Sequence, residues 1–467
     1  MELHLWAIFA QCFVLGLVAF SLPCIFPLAP LTVSYFTQRA GKSARVWPMA
    51  LAYAVAIVVI YVALGLLVSL LFGAGALNEL ASDGWFNLFV FAILLLFGLS
   101  LLGCFELNLP SRWVNAIAAR SYGDGIAGIF FLAATLAVVS FSCTGPVIGG
   151  ILVSVGVQAG MLAPSVAMLG FSSALAAVFF GFAIAPHYLH RLPRAGHWMQ
   201  DVKVSLGFLE IGLALKFLST ADLAYHWGLL SRERFVAIWI ALAVAYAAYV
   251  LNGARRSLSR ITVAAASLVF ALVLVRSYWG APLHFLSGFL PPETFKEAVS
   301  LQQKQSLNVP RKYGDLFSMP HGIPGFFDVE QAMQVAQLVN KPVLLDFTGH
   351  GCVNCRKMEA EVWSDARILP LLKESFIVVS LYTDDKTALP ETERVYSQLL
   401  KTEINTIGKK FKQLQAQRYQ TISQPYYVLL DTRGELLVSP PIGVELDVEL
   451  YRAYLLQGLQ EFARRSR

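Results

Sequence analysis

The sequence predicts a polytopic α-helical membrane domain followed by a soluble α/β domain. Three observations carry this. Hydrophobic residues make up 57% of the 467 residues and charged residues only 14%, against about 25% charged in ordinary soluble domains. Long apolar runs dominate residues 1–280, whereas after about residue 290 Lys, Glu, Gln and Asp recur throughout. The second part carries a short apolar run, a Gly-rich turn and a pair of closely spaced cysteines, Cys352 and Cys355. The expected organisation is a membrane domain at 1–280, a linker rich in Pro and Gly at 281–325, and a globular domain at 326–467.

A membrane span needs about 20 apolar residues. Eight segments qualify: 5–37, 48–73, 85–105, 125–160, 164–189, 203–220, 233–251 and 261–279. The first and fourth exceed a single simple pass and contain Pro and Gly, so both are expected to be broken helices. Glu210 and Lys203 lie seven residues apart in the sixth span, on one helical face. Lys203 is expected to snorkel at the edge, and Glu210, nearer mid-span, is a candidate to line a cavity.

The loops alternate in charge. Basic residues fill the first (Arg39, Lys42, Arg45), third (Arg112, Arg120), fifth (Arg191, Arg194) and seventh (Arg255, Arg256, Arg260). The second carries Glu79 and Asp83, the fourth is uncharged, and the sixth is mixed, with Asp222, Arg232, Glu233 and Arg234. Positive loops stay in the cytoplasm, so both chain ends are expected outside. The net charge of +6 follows from these loops and does not call for nucleic acid. MELHLWAIFAQ has no Lys or Arg before its apolar run, which argues against a cleaved signal peptide. Pro23 before Cys24 fits poorly with a lipoprotein cleavage site.

Two segments echo each other: PCIFPLAPL from Pro23 and SCTGPVIGG from Ser142. Each contains Cys-x-x-Pro, as Cys24 with Pro27 and Cys143 with Pro146, inside a breakable span. Gly98-Leu-Ser-Leu in the third span and Gly212-Leu-Ala-Leu in the sixth add to the pattern. Spans 1–3 are thus expected to repeat as 4–6, and an odd count inverts the second copy. Inverted repeats with matched broken helices are a signature of alternating access, with the site near the midplane. A lone membrane cysteine reads as packing, but this matched pair points to function. Cys12 and Cys104 lack that context and are expected to pack.

In the soluble part, KPVLLDFTGHGCVNCRKME runs from Lys341 to Glu359. A buried strand, a turn, Cys-x-x-Cys and a helix form the thioredoxin signature. Cys352 would sit at the helix N-terminus, where backbone N–H groups favour a thiolate nucleophile, and Cys355 would resolve the mixed disulfide. Asp346 is expected beneath the pair as a buried carboxylate able to relay a proton, against the plainer reading of a strand-end acid reaching solvent. Glu359 either tunes Cys355 or is solvated. Pro425, just before an apolar run, is the candidate cis proline, and DTRGE from Asp431 reads as a hairpin turn. A zinc site would need two further ligands. The soluble part has no other cysteine, and His321 and His350 are not spaced as a ligand pair, so no metal is expected.

With eight spans, Cys24 and Cys143, and then an outward Cys-x-x-Cys domain, the chain resembles the DsbD/CcdA family of transmembrane thiol:disulfide interchange proteins. DFTGHGCVNCRKME followed by VVSLYTDD is similar to the C-terminal thioredoxin-like domain of DsbD-type members. The resemblance implies redox roles for Cys24, Cys143, Cys352 and Cys355, residence in a bacterial inner membrane, and no cofactor beyond cysteine pairs. Cytosolic thioredoxin is the implied electron donor and periplasmic disulfide proteins, cytochrome c maturation among their uses, the implied acceptors. DsbD proteins usually begin with a secreted signal and a further periplasmic domain, whereas this sequence starts at the first span. That module is expected on a separate polypeptide, bypassed by direct delivery from the C-terminal domain, or removed. A rival reading is an inverted-repeat secondary transporter with a thioredoxin-like sensor, which would not need matched membrane cysteines. A non-catalytic scaffold leaves the Cys-x-x-Cys unexplained.

Overall fold

A computed structural model describes residues 2–20, 36, 46–72, 83–105, 128–134, 136–137, 162–184, 197–252, 258–278, 286, 288–291, 310–400 and 402–466. The N-terminal part is helical: α1 (Glu2–Ala19), α2 (Val46–Phe72), α3 (Gly84–Leu101), α4 (Leu162–Ile184), α5 (His197–Tyr225), α6 (Arg232–Leu251) and α7 (Leu258–Tyr278). Among the described residues six helices are long and apolar enough to cross a membrane, and α1 contributes a shorter apolar stretch, Leu5–Ala19. The six fall on the second, third, fifth, sixth, seventh and eighth expected spans. Of the fourth, residues 128–134 and 136–137 are described and helical. The breaks expected around Cys24, Pro27, Cys143 and Pro146 lie outside the described residues. Large apolar side chains stay exposed along the helices, such as Val55, Phe89, Val269 and Leu272, which suits lipid rather than water. The chain is a multi-pass membrane protein.

The chain divides into two compact units: residues 1–81 with 89–214, and residues 82–88 with 215–467. In the first, α1 and α2 both pack on α4. Small residues set the spacing, since a Cβ on Gly170 would lie 2.6 Å from Phe9 O, and one on Gly16 equally close to Phe171 O. Close backbone approach through glycine is the usual way membrane helices gain contact. Cys12 is buried beside Gly170, as expected of a packing residue. Gly98 and Gly207 bring α3 and α5 together in the same manner. Glu210 is buried, and its Oε2 has no hydrogen-bond partner among the described residues, whereas Lys203 is exposed.

One expectation fails here. Cys104 is exposed rather than packed. Gly103, at φ +81°, ends α3, with Cys104 N–H donating back to Leu99 O and Gly103 N–H to Ser100 O. This left-handed stop turns the next side chain outward.

In the second unit, α6 and α7 form a hairpin with Ala243, Ala247, Ala264 and Ala271 buried and Ser267 Oγ donating to Ala243 O. The mixed charges between α5 and α6 are structural. Buried Asp222 accepts from Leu229 and Leu230 N–H, and Arg234 donates to the carbonyls of Gly228 and Leu229. That occupation explains why this loop gives no clean topological signal.

The α/β domain centres on a four-stranded sheet, ordered β1 (Gly325–Phe326), β3 (Ile377–Tyr382), β2 (Val343–Thr348) and β6 (Tyr426–Leu430). Strand β2 pairs parallel with β3 and antiparallel with β6, and β4 (Val395–Ser397) and β5 (Thr402–Ile404) form a separate hairpin. All six residues of β2 are buried, consistent with an apolar run read as a central strand. Helix α8 (Val329–Val339) starts where Asp328 caps Gln331 N–H and stops at left-handed Asn340. Helices α9 (Val353–Lys357), α10 (Leu369–Glu374), α11 (Ile407–Tyr419) and α12 (Val448–Arg465) complete the domain. The core gathers Phe347, Trp363, Tyr427 and Tyr451, with Trp363 Nε1 donating to Tyr451 OH. The DTRGE turn forms as expected, with Gly434 at φ +84° and Asp431 N–H bonded to Glu435 O.

Candidate functional site

Strand β2 delivers the site. It leaves the core at Thr348 into Gly349, His350 and Gly351, and Cys352 caps α9. The turn is tied by one carboxylate: Asp384 accepts from His350 N–H at 2.8 Å and from Gly351 N–H at 3.0 Å. A Cβ on Gly349 would lie 2.5 Å from Gln424 Oε1 and 2.8 Å from Asp384 Oδ2, so any larger residue would push these two side chains aside. Cys352 and Cys355 are disulfide-bonded, with a Cα separation of 5.3 Å. Cys355 N–H points at Cys352 Sγ, 3.1 Å away. Cys352 is half-buried and Cys355 only 1% exposed, so Cys352 is the sulfur an incoming thiol can reach.

The strand and helix that flank the pair also carry buried polar side chains. Asp346, 2% exposed, accepts from Ser380 Oγ at 2.8 Å. Burial first, then the neighbouring Glu359 charge, push its carboxyl up to about 7, against the Ser380 hydrogen bond and the Arg356 charge. The sequence left open a strand-end acid reaching solvent, and the structure places Asp346 inside. Glu359 is likewise buried and pairs with Arg356 at 2.8 Å, while Arg356 also donates to Thr348 Oγ1. After Lys357 the helix widens into a π-helical turn, Met358–Trp363, which carries Glu359. The Gln424–Pro425 peptide is cis, and Pro425 is buried. Gln424 closes over the active-site turn by its contact with Gly349 and a hydrogen bond to Thr383 Oγ1.

Other segments of the same unit reach this turn. Thr220 Cγ2 of α5 would lie 3.0 Å from a Cβ on Gly351, and Gly288 of the connector packs on Val353. Asp385 follows Asp384 and receives two imidazoles on one oxygen: His226 Nε2 at 2.7 Å and His350 Nε2 at 3.2 Å. Burial alone would raise the Asp385 carboxyl, but these two hydrogen bonds outweigh it and hold the group well below the usual range. The loop is pinned from behind by Gly408 of α11, where a Cβ would lie 2.5 Å from Asp385 O.

The structure therefore brings together Cys352, Cys355, Asp346, Glu359 and the Pro425 loop around β2. Cys24 and Cys143 lie outside the described residues. The sequence reading missed Arg356, Asp384, Gln424, His226 and Asp385. A basic residue right after the second cysteine and the acidic pair ending YTDD were the available signals for three of them.

The fold and site define a class: a helical membrane domain joined to a thioredoxin-like domain with an intact Cys-x-x-Cys. Comparison with known proteins agrees. Residues 5–221 match the cytochrome c biogenesis protein transmembrane domain, and residues 329–440 match a thioredoxin-like domain. Similar proteins are the thiol:disulfide interchange protein DsbD of Ralstonia nicotianae, 24% identical over 79% of this chain and 59% of that protein, and its namesakes in Photorhabdus laumondii, 26% identical over 82% and 60%, and Yersinia enterocolitica, 27% identical over 84% and 61%. Together the two matched domains and these relatives support a DsbD-type protein. The chain spans about three fifths of the length of these relatives.

Proposed function

We propose that this chain is a transmembrane protein-disulfide reductase that moves electrons outward by thiol–disulfide exchange. The observation that carries the reading is the disulfide at the start of α9, with a reachable first sulfur and a buried second one. In the proposed sequence a cytosolic thioredoxin thiolate attacks the Cys24–Cys143 disulfide. A mixed disulfide forms, the second donor thiol resolves it, and the membrane pair is left as two thiols. A membrane thiolate then attacks Cys352–Cys355, and the membrane pair returns to the disulfide. The Cys352 thiolate finally attacks a disulfide of a periplasmic protein, and Cys355 releases the reduced product. Two electrons pass at each exchange, and no carrier other than sulfur is used. In this reading Asp346, which holds its proton to about pH 7, trades that proton as Cys355 gains or loses its own.

The loop charges support an inner-membrane location with the thioredoxin-like domain in the periplasm. Direction follows from potentials. Thioredoxin near −270 mV and a periplasmic oxidant near −120 mV differ by ~150 mV, roughly 7 kcal/mol for two electrons.

The test is thiol trapping in cells. Acid quenching and alkylation should show Cys352–Cys355 partly reduced in the wild type and fully oxidised after Cys24→Ala or Cys143→Ala. Retention of reduced Cys352 and Cys355 in Cys24→Ala would end the relay.

A further inference from the structure

Three side chains that the exchange chemistry does not use converge on one point. His226 follows the last residue of α5, His350 stands two residues before Cys352, and Asp385 lies in the loop after β3. Their ligand-capable atoms all lie within 4.8 Å of one another. Both imidazoles aim Nε2 at the same oxygen, Asp385 Oδ2, from 2.7 and 3.2 Å.

The set is held in place from outside. Asp385 Oδ1 accepts from Thr387 N–H at 2.9 Å, which turns Oδ2 toward the histidines. The His350 ring stacks on Tyr382, with centroids 4.5 Å apart, and also packs against Phe317. His350 and Asp385 are 5% and 1% exposed, while the His226 side chain keeps 26% and leaves one side of the cluster open to water. Such outer support is what orients metal ligands in advance.

Two histidines and one carboxylate suit a divalent ion of the zinc class. Zinc binds imidazole nitrogen and carboxylate oxygen at about 2.0–2.2 Å, so tetrahedral ligands stand about 3.3 Å apart. The His350 separation already matches. The His226 separation must open by roughly half an ångström to reach that spacing, on the side that faces water.

We propose that His226, His350 and Asp385 bind one zinc-class ion and thereby tie the turn ahead of Cys352 to the end of α5. On binding, each neutral imidazole moves its proton from Nε2 to Nδ1 and offers the Nε2 lone pair. The carboxylate supplies the third ligand and a water the fourth.

The experiment uses the full chain in detergent with the Cys352–Cys355 disulfide formed, so that those thiolates do not compete. Equilibrium dialysis against Zn²⁺, with Co²⁺ absorption as a second probe, should show one saturable ion per chain. Affinity should fall at least ~10-fold in His226→Gln and in His350→Gln, and Zn²⁺ should raise the melting temperature of the wild type but not of His226→Gln. His226→Gln changes a partly exposed residue, and an unchanged melting temperature without metal confirms that it folds. Binding should survive Cys12→Ser with Cys104→Ser. Absence of saturable binding, equal affinity in the histidine variants, or loss only on removing cysteines would overturn the assignment.

Discussion

Asp346 is a carboxylic acid kept neutral inside a sheet, and its pH dependence follows directly. Folded, it holds its proton to about pH 7; unfolded, it releases it near ~4. Its relative benefit to the folded state is therefore complete below about pH 4 and declines as pH rises through 7. A shift of about three units corresponds to roughly 4 kcal/mol, as an upper figure for one buried group. Asp346→Asn should flatten the stability profile between about pH 4 and 7 and raise stability at pH 8 relative to the wild type, measured by thermal unfolding of the oxidised chain across pH. It should also slow reduction of Cys352–Cys355 by a small dithiol, because the proton source is gone. Unchanged slopes in both measurements would remove Asp346 from the proton chemistry. This residue was legible in the sequence because six positions separate it from Cys352 along a strand and a tight turn. Arg356 was signalled only by its position right after the Cys-x-x-Cys, and its burial was not, since such a charge reads as solvated unless the helix is known to bury it.

At the level of elements, α12 is seated on the sheet by Gly458. A Cβ there would meet Leu429 Cδ1 at 2.4 Å, and Tyr454 OH donates to Tyr427 O beside it. Gly458→Ala should cost about 1–3 kcal/mol by overpacking, read as a lower melting temperature with the redox pair intact. The elements themselves followed from period and punctuation: an apolar run after Pro342 gave β2, the acidic turn gave the hairpin at 431–435, and the twenty-residue apolar stretches gave six helices. What the sequence hid was the width of the turn after Lys357. A π-helical stretch has no pattern of its own, and here it swings Glu359 inward to Arg356.

For the whole molecule, the charge alternation makes a prediction independent of sulfur. A reporter active only in the periplasm, fused after residue 466, should be active, and the same reporter fused in the seventh loop at 253–257 should be silent. The opposite pattern would reverse the topology and overturn the proposed outward relay. Domain order was legible because composition changes abruptly near residue 290. The contacts made by α5 were not, because nothing in the sequence pairs His226 with an aspartate 159 positions later. That loop, residues 383–387, gathers the active-site turn through Asp384, the histidines through Asp385, and α5 through Lys386 N–H on Ala224 O. Behind it stands Gly408, which cannot accept even a methyl group without displacing Asp385 and Thr383 carbonyls. A stabilisation campaign that swaps helical glycines for alanine would regard this position as a safe gain. Gly408→Ala should instead unseat both aspartates together, so that sulfur reactivity and attachment to α5 fail in one step; alkylation kinetics of reduced Cys352 would register the damage even where the melting curve changes little.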